Sequence, residues 1–426
     1  MASEAPMAKD GSESTDAGRA VGARGSGERA YVSSSGGAQK ATVRVPTEGT
    51  YLRAEISTGA IRANLALLRE RIGPAGRLCA VVKADCYGLG VATLLPVIRS
   101  RVDWMVVATP AEALELRGLG YDGPLLMFFS PSLGWDARRP GDALAELIAA
   151  EVTLTVVSSD ELTAVAQAAE RAGAAAHVHA KIDTGMGRSG AQPSQAVALV
   201  RQIRSTAGVK LTGLYTHFAT ADEADLDFAR RQMRVFDEVV AACGGCEGLT
   251  LHAANSAATI QLPSAHFDMV RAGIAMYGYQ PSDEVGEVIG RLPLRPALRL
   301  TGPLMQIKQV PAGSRCGYGL THTFDRDSLV GLVPVGYADG YLRSLSGRAT
   351  MRLGGHDVRV CGRVSMDQTI IDVTDVPDAR VGDEVEIFSP EPSAPHSIAS
   401  LASLAGTIPY ELLTRLGRRA RRVLVD

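Results

Sequence analysis

From residue 57 to about residue 274 the chain alternates two kinds of segment. One kind is short, apolar and rich in β-branched residues, as a strand buried on both faces must be; the other carries Ala, Leu and charged residues at helical spacing. The short runs are Leu78–Lys83, Trp104–Ala108, Pro124–Phe129, Thr153–Val157, Ala176–Ile182, Lys210–His217, Thr250–Asn255 and Met269–Ile274, and the longer ones include Ala111–Leu119, Asp160–Ala172, Ser194–Thr206 and Asp225–Ala242. Eight strand-then-helix units over about 220 residues match the size of a parallel (β/α)8 barrel.

After about Pro293 the pattern changes. Leu329–Val333, Ala349–Leu353, Val358–Cys361 and Glu384–Phe388 are short, β-branched and parted by Gly, Pro and Asp, which predicts an antiparallel β domain. Helix-like Ser397–Ala405 and Tyr410–Leu416 precede a closing strand, Val423–Val425. The expected fold class is therefore α/β: a (β/α)8 TIM-like barrel over residues 49–287 and a mainly-β domain over residues 288–426, with the strand-like Thr50–Ile56 free to pair with either. Ala, Gly and Ser fill 24 of the first 50 positions and Tyr31 is the single aromatic, so residues 1–48 are expected to be a disordered tail.

Composition narrows the partners. At 426 residues and 46% hydrophobic content the chain can bury more than one core. A net charge of -2 leaves no excess for nucleic acid, and the basic run Arg415–Arg422 is read as a solvated helix face. No segment has the apolar length of a signal peptide or a membrane span, which predicts a cytoplasmic protein without a membrane partner. The six cysteines are scattered and read as thiols; the one close pair, Cys243-Gly-Gly-Cys246, has no second Cys/His pair near it and reads as a Gly-rich turn, so no metal is expected.

In such a barrel the chemistry sits at the C-terminal ends of the strands, and unusual polar residues collect there. Lys83 ends the first run, His217 the sixth, Asn255 and Ser256 close the seventh, and Arg271 lies in the eighth before Gly273 and Ile274. In the fifth run a period of two puts His177, His179, Lys181 and Asp183 on one face and Val178, Ala180 and Ile182 on the other, so the polar face looks into the barrel. The Gly-rich turn that follows brings Arg188 to the rim, where it can clamp a carboxylate. Alone, each residue could be a satisfied core group. Five at the same ends of five strands are not packing, because burying each unpaired costs several kcal/mol.

A lysine at the end of an apolar strand can lose its proton and form an imine with an aldehyde. Together with Ser256 and the Gly-rich end of the eighth run, at the usual phosphate position of such barrels, this points to pyridoxal 5'-phosphate. Lys83 would hold the aldehyde, Tyr87, Ser256 and the N–H groups of Gly273 and Ile274 the phosphate, and Arg271 would face the pyridine nitrogen. A cation there disfavours protonation of the ring and suppresses side reactions such as transamination.

The segments Ala80-Val-Val-Lys83-Ala-Asp-Cys-Tyr87-Gly, Lys181-Ile-Asp-Thr-Gly-Met-Gly-Arg188, Thr216-His217-Phe-Ala-Thr-Ala-Asp, Ala254-Asn-Ser256-Ala, Val270-Arg271-Ala-Gly-Ile, Cys316-Gly-Tyr318-Gly, Val335-Gly-Tyr337-Ala-Asp-Gly-Tyr341 and Gly362-Arg-Val-Ser-Met366-Asp-Gln occur in order. From about Leu52 onward the chain resembles the bacterial alanine racemases, fold type III among pyridoxal phosphate enzymes. The resemblance implies a small amino-acid substrate, D-alanine supply for peptidoglycan, and two opposed bases: Lys83 for the D face and Tyr318 for the L face. Inversion of a stereocentre needs a proton removed on one side and returned on the other. An ordinary tyrosine, with a pKa of about 10, is a poor base at neutral pH, and the resemblance implies tuning through His217 and Arg271. It also implies a head-to-tail homodimer with composite sites, in which Tyr318 and Met366 come from the partner. Arg188 and Met366 would contact the substrate carboxylate, Tyr337 would stand on the access path, Tyr410 would reach the phosphate, and Lys181 would be carbamylated to orient Arg188.

Leu89, where relatives usually have His, and Cys86, where Ala is frequent, depart from the pattern at non-catalytic positions. The competing readings are a racemase of another small amino acid such as serine, a fold-type III decarboxylase and a non-catalytic pyridoxal phosphate carrier. A decarboxylase is expected to carry Glu at the pyridine nitrogen, where Arg271 stands here, and a carrier would be a lone barrel.

Overall fold

The computed structural model describes residues 51–129, 140–245, 247–288 and 292–426; the expected tail and Cys246 lie outside them. A first strand, β1 (Leu52–Ser57), leads into α1 (Thr58–Ile72), and the Ser57 hydroxyl caps that helix by accepting the Ala60 N–H at 3.0 Å. Next come β2 (Arg77–Val81), α2 (Lys83–Tyr87), α3 (Val91–Ile98), β3 (Trp104–Val107), α4 (Pro110–Gly118), β4 (Leu125–Met127), α5 (Pro140–Ala149), β5 (Val152–Val156), α6 (Ser159–Ala172), β6 (Ala176–Lys181), α7 (Pro193–Ser205), β7 (Val209–Tyr215), α8 (Asp227–Ala242), β8 (Thr250–His252), α9 (Ser256–Gln261), β9 (Met269–Ala272) and α10 (Asp283–Val288).

The parallel strands bond in the order β8-β7-β6-β5-β4-β3-β2-β9. The two ends of the sheet meet where the Asp268 N–H donates to Leu251 O at 3.1 Å and the Arg271 N–H to Ala254 O at 2.9 Å. These eight strands are the eight predicted runs, and all their apolar side chains but Trp104 and Leu211, which are half-buried, are buried because one face packs on helices while the other fills the barrel.

At every barrel strand the ladder stops short of the predicted end, by two or three residues at five of them: at Val81 rather than Lys83, Met127 rather than Phe129, Tyr215 rather than His217, His252 rather than Asn255 and Ala272 rather than Ile274. Pairing ends where the chain turns toward its helix, while the apolar run continues because those residues still pack in the mouth. Lys83, Tyr87, His217, Asn255, Ser256, Gly273 and Ile274 therefore sit on the first turns beyond the strands, while Lys181 and Arg271 lie on β6 and β9 themselves.

The turn after β2 is unusual. Ala84, Asp85, Cys86 and Tyr87 have φ of 52°, 55°, 53° and 55°, so α2 is a left-handed turn, a conformation that costs L-residues roughly 1–2 kcal/mol each. It is tied on all sides. Cys86 N–H bonds Val82 O at 2.9 Å, the Glu112 carboxylate accepts the Ala84 N–H at 2.7 Å, and the Asp85 carboxylate accepts the Val91 N–H at 2.6 Å. Gly88 ends the turn at φ +81°, and a Cβ there would lie 2.3 Å from Leu413 O.

The second half contains β10 (Leu298–Pro303), β11 (Gln306–Val310), β12 (Arg315–Cys316), β13 (His322–Thr323), β14 (Ser328–Val333), β15 (Thr350–Leu353), β16 (His356–Arg359), β17 (Thr369–Asp372), β18 (Glu384–Phe388), α11 (Ile398–Ala405), α12 (Pro409–Thr414) and β19 (Ala420–Val425). They form a six-stranded sheet β16-β15-β18-β10-β1-β19, a three-stranded sheet β11-β14-β17 and the hairpin β12-β13. The strand before the barrel thus joins the C-terminal sheet.

Two expectations are corrected here. The sheet is not wholly antiparallel: β19 runs parallel to β1, and nearly the whole chain separates them, so no hairpin fixes their direction. The run Arg415–Arg422 is solvated as expected, with Arg415, Arg418, Arg419 and Arg421 exposed, but it is not a helix face, because α12 ends at Thr414. Arg419 donates to Asp339 at 2.8 and 3.0 Å and to Asp367 at 2.6 Å, and Arg422 donates to the carbonyls of Gly88, Leu416, Gly417 and Ala420. Their charge is consumed in joining the chain's last turn to the loops around it. Among the described residues no helix is long and apolar enough to cross a membrane.

Candidate active site

A cavity of about 940 Å³ opens at the C-terminal ends of the barrel strands. Lys83, Tyr87, Lys181, Arg188, His217, Asn255, Ser256, Arg271, Gly273, Ile274 and Tyr410 all line it, so the residues expected from five separate strand ends and from α12 do converge. Tyr318, Tyr337 and Met366 do not line it; they are exposed at 70%, 43% and 53%.

At its base lies Arg271, 2% exposed and contributed by β9. One terminal nitrogen donates to His252 Nδ1 at 2.8 Å; the other donates to Thr216 O at 3.0 Å, Ala253 O at 2.9 Å and His217 Nδ1 at 3.2 Å. Its Nε has no partner, and the group lies over the rings of Tyr215 at 5.4 Å and Phe128 at 5.9 Å. None of these acceptors is a carboxylate. A guanidinium can only donate, so His217 and His252 are both bare at Nδ1 and carry their proton on Nε2.

The charge balance of the cavity is positive. Burial lowers the pKa of Lys83, helped by Arg188 and opposed by Glu112. Burial, Arg188 and Arg271 push Lys181 down to about 8, against the pull of Asp183. Burial pushes Arg271 itself down to about 10, and burial with the neighbouring Arg271 and Arg188 holds His217 well below the ordinary imidazole value. Such a set stabilises anions and leaves its lysines readier to be neutral than in water.

Around this base the backbone forms a cradle. Ser256 Oγ accepts the Gly273 N–H at 2.9 Å and the Ala275 N–H at 3.4 Å, and a Cβ on Gly273 would lie 2.5 Å from the Tyr87 hydroxyl oxygen. Tyr87 lies 5.0 Å from the ring of Tyr277 and 5.9 Å from that of Tyr410. Asn255 caps α9, its Oδ1 accepting the Ala258 N–H at 2.9 Å. Asp183 folds the Gly-rich turn by accepting the N–H groups of Gly185 at 3.0 Å and Gly187 at 3.1 Å, and this turn offers Arg188 to the cavity.

Sequence reasoning missed several lining or supporting residues. Glu112 completes a capping box at the start of α4 while also receiving the N–H groups of Ala84 and Ala108, both at 2.7 Å; Thr109-Pro-Ala-Glu112 advertised the cap but not the second duty. Tyr215 shares the inward parity of His217, and His252 is the one imidazole in an apolar run, so both left a signal. Phe128, Ile408 and Thr414 left none.

A (β/α)8 barrel with a basic cavity at its C-terminal mouth and a mainly-β domain that takes in the strand before the barrel defines a two-domain barrel enzyme. Comparison with known proteins agrees and is specific. Residues 56–281 match the family description "Alanine racemase, N-terminal domain" and residues 297–424 match "Alanine racemase, C-terminal domain". The chain is 38% identical to an alanine racemase of Desulfovibrio desulfuricans over 88% of its own length and 98% of that protein's, and 39% identical to one of Streptomyces coelicolor over 88% and 96%. The crystal structure of alanine racemase from D-cycloserine producing Streptomyces lavendulae superimposes with a TM-score of 0.80 at 36% identity, covering 88% of this chain and 97% of that one. The chain belongs to the alanine racemase family and is an isomerase.

The buried imidazoles carry a prediction. Burial pushes His179 down to about 3 and holds His252 and His217 well below their ordinary value. Between pH ~6.5 and pH ~3 the unfolded chain binds protons that these rings refuse, so stability falls as pH drops below ~6.5. Urea midpoints should be clearly lower at pH 5 than at pH 7.5; a flat profile over that range would contradict the neutral assignment.

Proposed function

We propose that this chain is a pyridoxal phosphate-dependent racemase that interconverts L- and D-alanine in the cytoplasm, working as a homodimer with composite sites. The observation that carries the reading is a cavity holding Lys83 and a buried Arg271 whose acceptors are all neutral. The residues present fit the cofactor. The cationic excess suits a phosphate and a carboxylate, the unpartnered Arg271 Nε is a donor still to be used, and the Gly273 cradle would be closed by any side chain. Pyridoxal phosphate, when bound, supplies an electron-withdrawing ring that acidifies the substrate Cα–H.

The remaining chemistry belongs to this chain. Lys83 anchors the cofactor aldehyde, and Tyr87, Ser256, Tyr410 and the Ile274 N–H hold the phosphate, joined by the Gly273 N–H when it turns from Ser256 Oγ to the incoming anion. Asn255, next to the phosphate group of residues, helps to shape that end. Arg271 keeps the ring nitrogen from gaining a proton; a glutamate there would suit a decarboxylase instead. Arg188 orients the substrate carboxylate, with Met366 of the partner subunit on its other side and Tyr337 of the partner subunit on the access path.

Lys83 Nζ moves the proton on the D face, its lowered pKa favouring the free amine a base requires. Tyr318 of the partner subunit serves the L face. His217 is bound at Nδ1 by Arg271, so its Nε2–H is available to donate to that phenolate and stabilise the charged form. Exposure of Tyr318, Tyr337 and Met366 in a single chain supports their use by a second copy. Lys181, held near 8, has a neutral fraction able to add CO₂; the carbamate would replace one of two adjacent cations by an anion and orient Arg188. The alanine preference follows the names of the relatives, and the boundary between barrel and β domain is placed near residue 288.

Two measurements test this. Tyr318→Phe should slow racemisation by about 10²–10⁴ while Cα deuterium exchange on D-alanine persists through Lys83; L-alanine turnover near wild type would sink the two-base assignment. Carbon-13 NMR of native protein equilibrated with ¹³C-labelled CO₂ should show a carbamate carbon that is lost in a Lys181→Ala variant, and its absence from wild type would refute carbamylation.

A further inference from the structure

Behind Arg271 the barrel interior holds a second imidazole for which the proposed reaction gives no role. His179, on β6 and 0% exposed, places Nδ1 2.9 Å from His252 Nε2, while its own Nε2 has no partner. The protein accommodates this ring at some structural expense. The pairing of β6 with β7 shifts register between Val178 and His179, and opposite His179 stands Gly213, where a Cβ would lie 2.7 Å from His179 Nε2. A Cβ on Gly213 would also lie 2.7 Å from Thr250 O, but an apolar side chain at position 179 would leave no orphaned donor.

The proton positions along this chain are determined. Arg271 donates to His252 Nδ1, so His252 carries its proton on Nε2; that N–H points at His179 Nδ1, which must therefore be bare. The proton of His179 is left on Nε2, the atom without a partner. We infer that His179 is a positioning residue: by accepting from His252 it fixes the one tautomer that can receive Arg271, and so sets the direction of the guanidinium. That polarity makes His179 Nε2 a donor, and a donor bonded to that nitrogen in its place would reverse the chain.

The inference rests on the role proposed for Arg271, and the test separates the two. The native full-length protein with nitrogen-15 histidine is examined by NMR of the ring nitrogens, with His179 and His252 assigned by substitution. Both rings should be Nε2–H tautomers; a proton on Nδ1 of either overturns the inference, whatever the enzyme's substrate. His179→Leu should cost His252 its single tautomer and lower kcat about tenfold with KM little changed, because Arg271 loses its fixed acceptor. His179→Asn, whose Oδ1 stands near the lost Nδ1, should restore both. An unchanged His252 spectrum and kcat in the leucine variant overturns the inference, and if that variant does not fold, the wild-type and asparagine spectra decide. Absence of alanine racemisation in wild type would instead sink the proposed function and leave the tautomers standing.

Discussion

Arg271 is a full cation at the centre of a barrel, and among the described residues no carboxylate accompanies it. Its partners are two carbonyls and two imidazoles, all neutral. That choice propagates. The imidazoles must stay neutral and must present Nδ1, the lysines around them lose basicity, and the cavity is left with a positive balance that only incoming anions relieve. A carboxylate beside Arg271 would release the histidines from their tautomers and cancel the field that draws a phosphate and a carboxylate to the mouth. Much of the site follows from what was not placed beside one guanidinium.

The left-handed turn after β2 is the second constraint. Four non-glycine residues in this conformation hold only because Glu112, Asp85, Gly88 and the C-terminal arginine Arg422 each secure one part of it. The turn carries Lys83 and Tyr87 on one short arc, so both reach the cavity. Arg422 belongs to β19, which pairs with β1. The C-terminal sheet therefore steadies the turn that holds the candidate catalytic lysine.

The period-two and helical patterns made the barrel legible, because a parallel strand buried on both faces leaves a continuous apolar run. Polar residues interrupting those runs at their ends made most of the cavity legible too. What the sequence did not reveal has physical causes. Strand ends were overrun because burial outlasts hydrogen bonding at Lys83, His217, Asn255 and Ile274. The left-handed turn was invisible because Ala84, Asp85 and Cys86 have no intrinsic preference for it. The direction of β19 depends on contact across nearly the whole chain. Glu112 was hidden because its cap was visible and its second set of bonds was not.

On this account a working site needs Lys83 from one copy and Tyr318 from another. The most direct test mixes two disabled proteins, Lys83→Ala and Tyr318→Phe, under conditions that exchange subunits. If the site is composite, a mixed dimer contains one site with both native residues, and random mixing should restore about a quarter of wild-type racemisation, since half the dimers are mixed and each has one intact site of two. Activity that stays at the level of the separate variants, with subunit exchange demonstrated, would contradict the account.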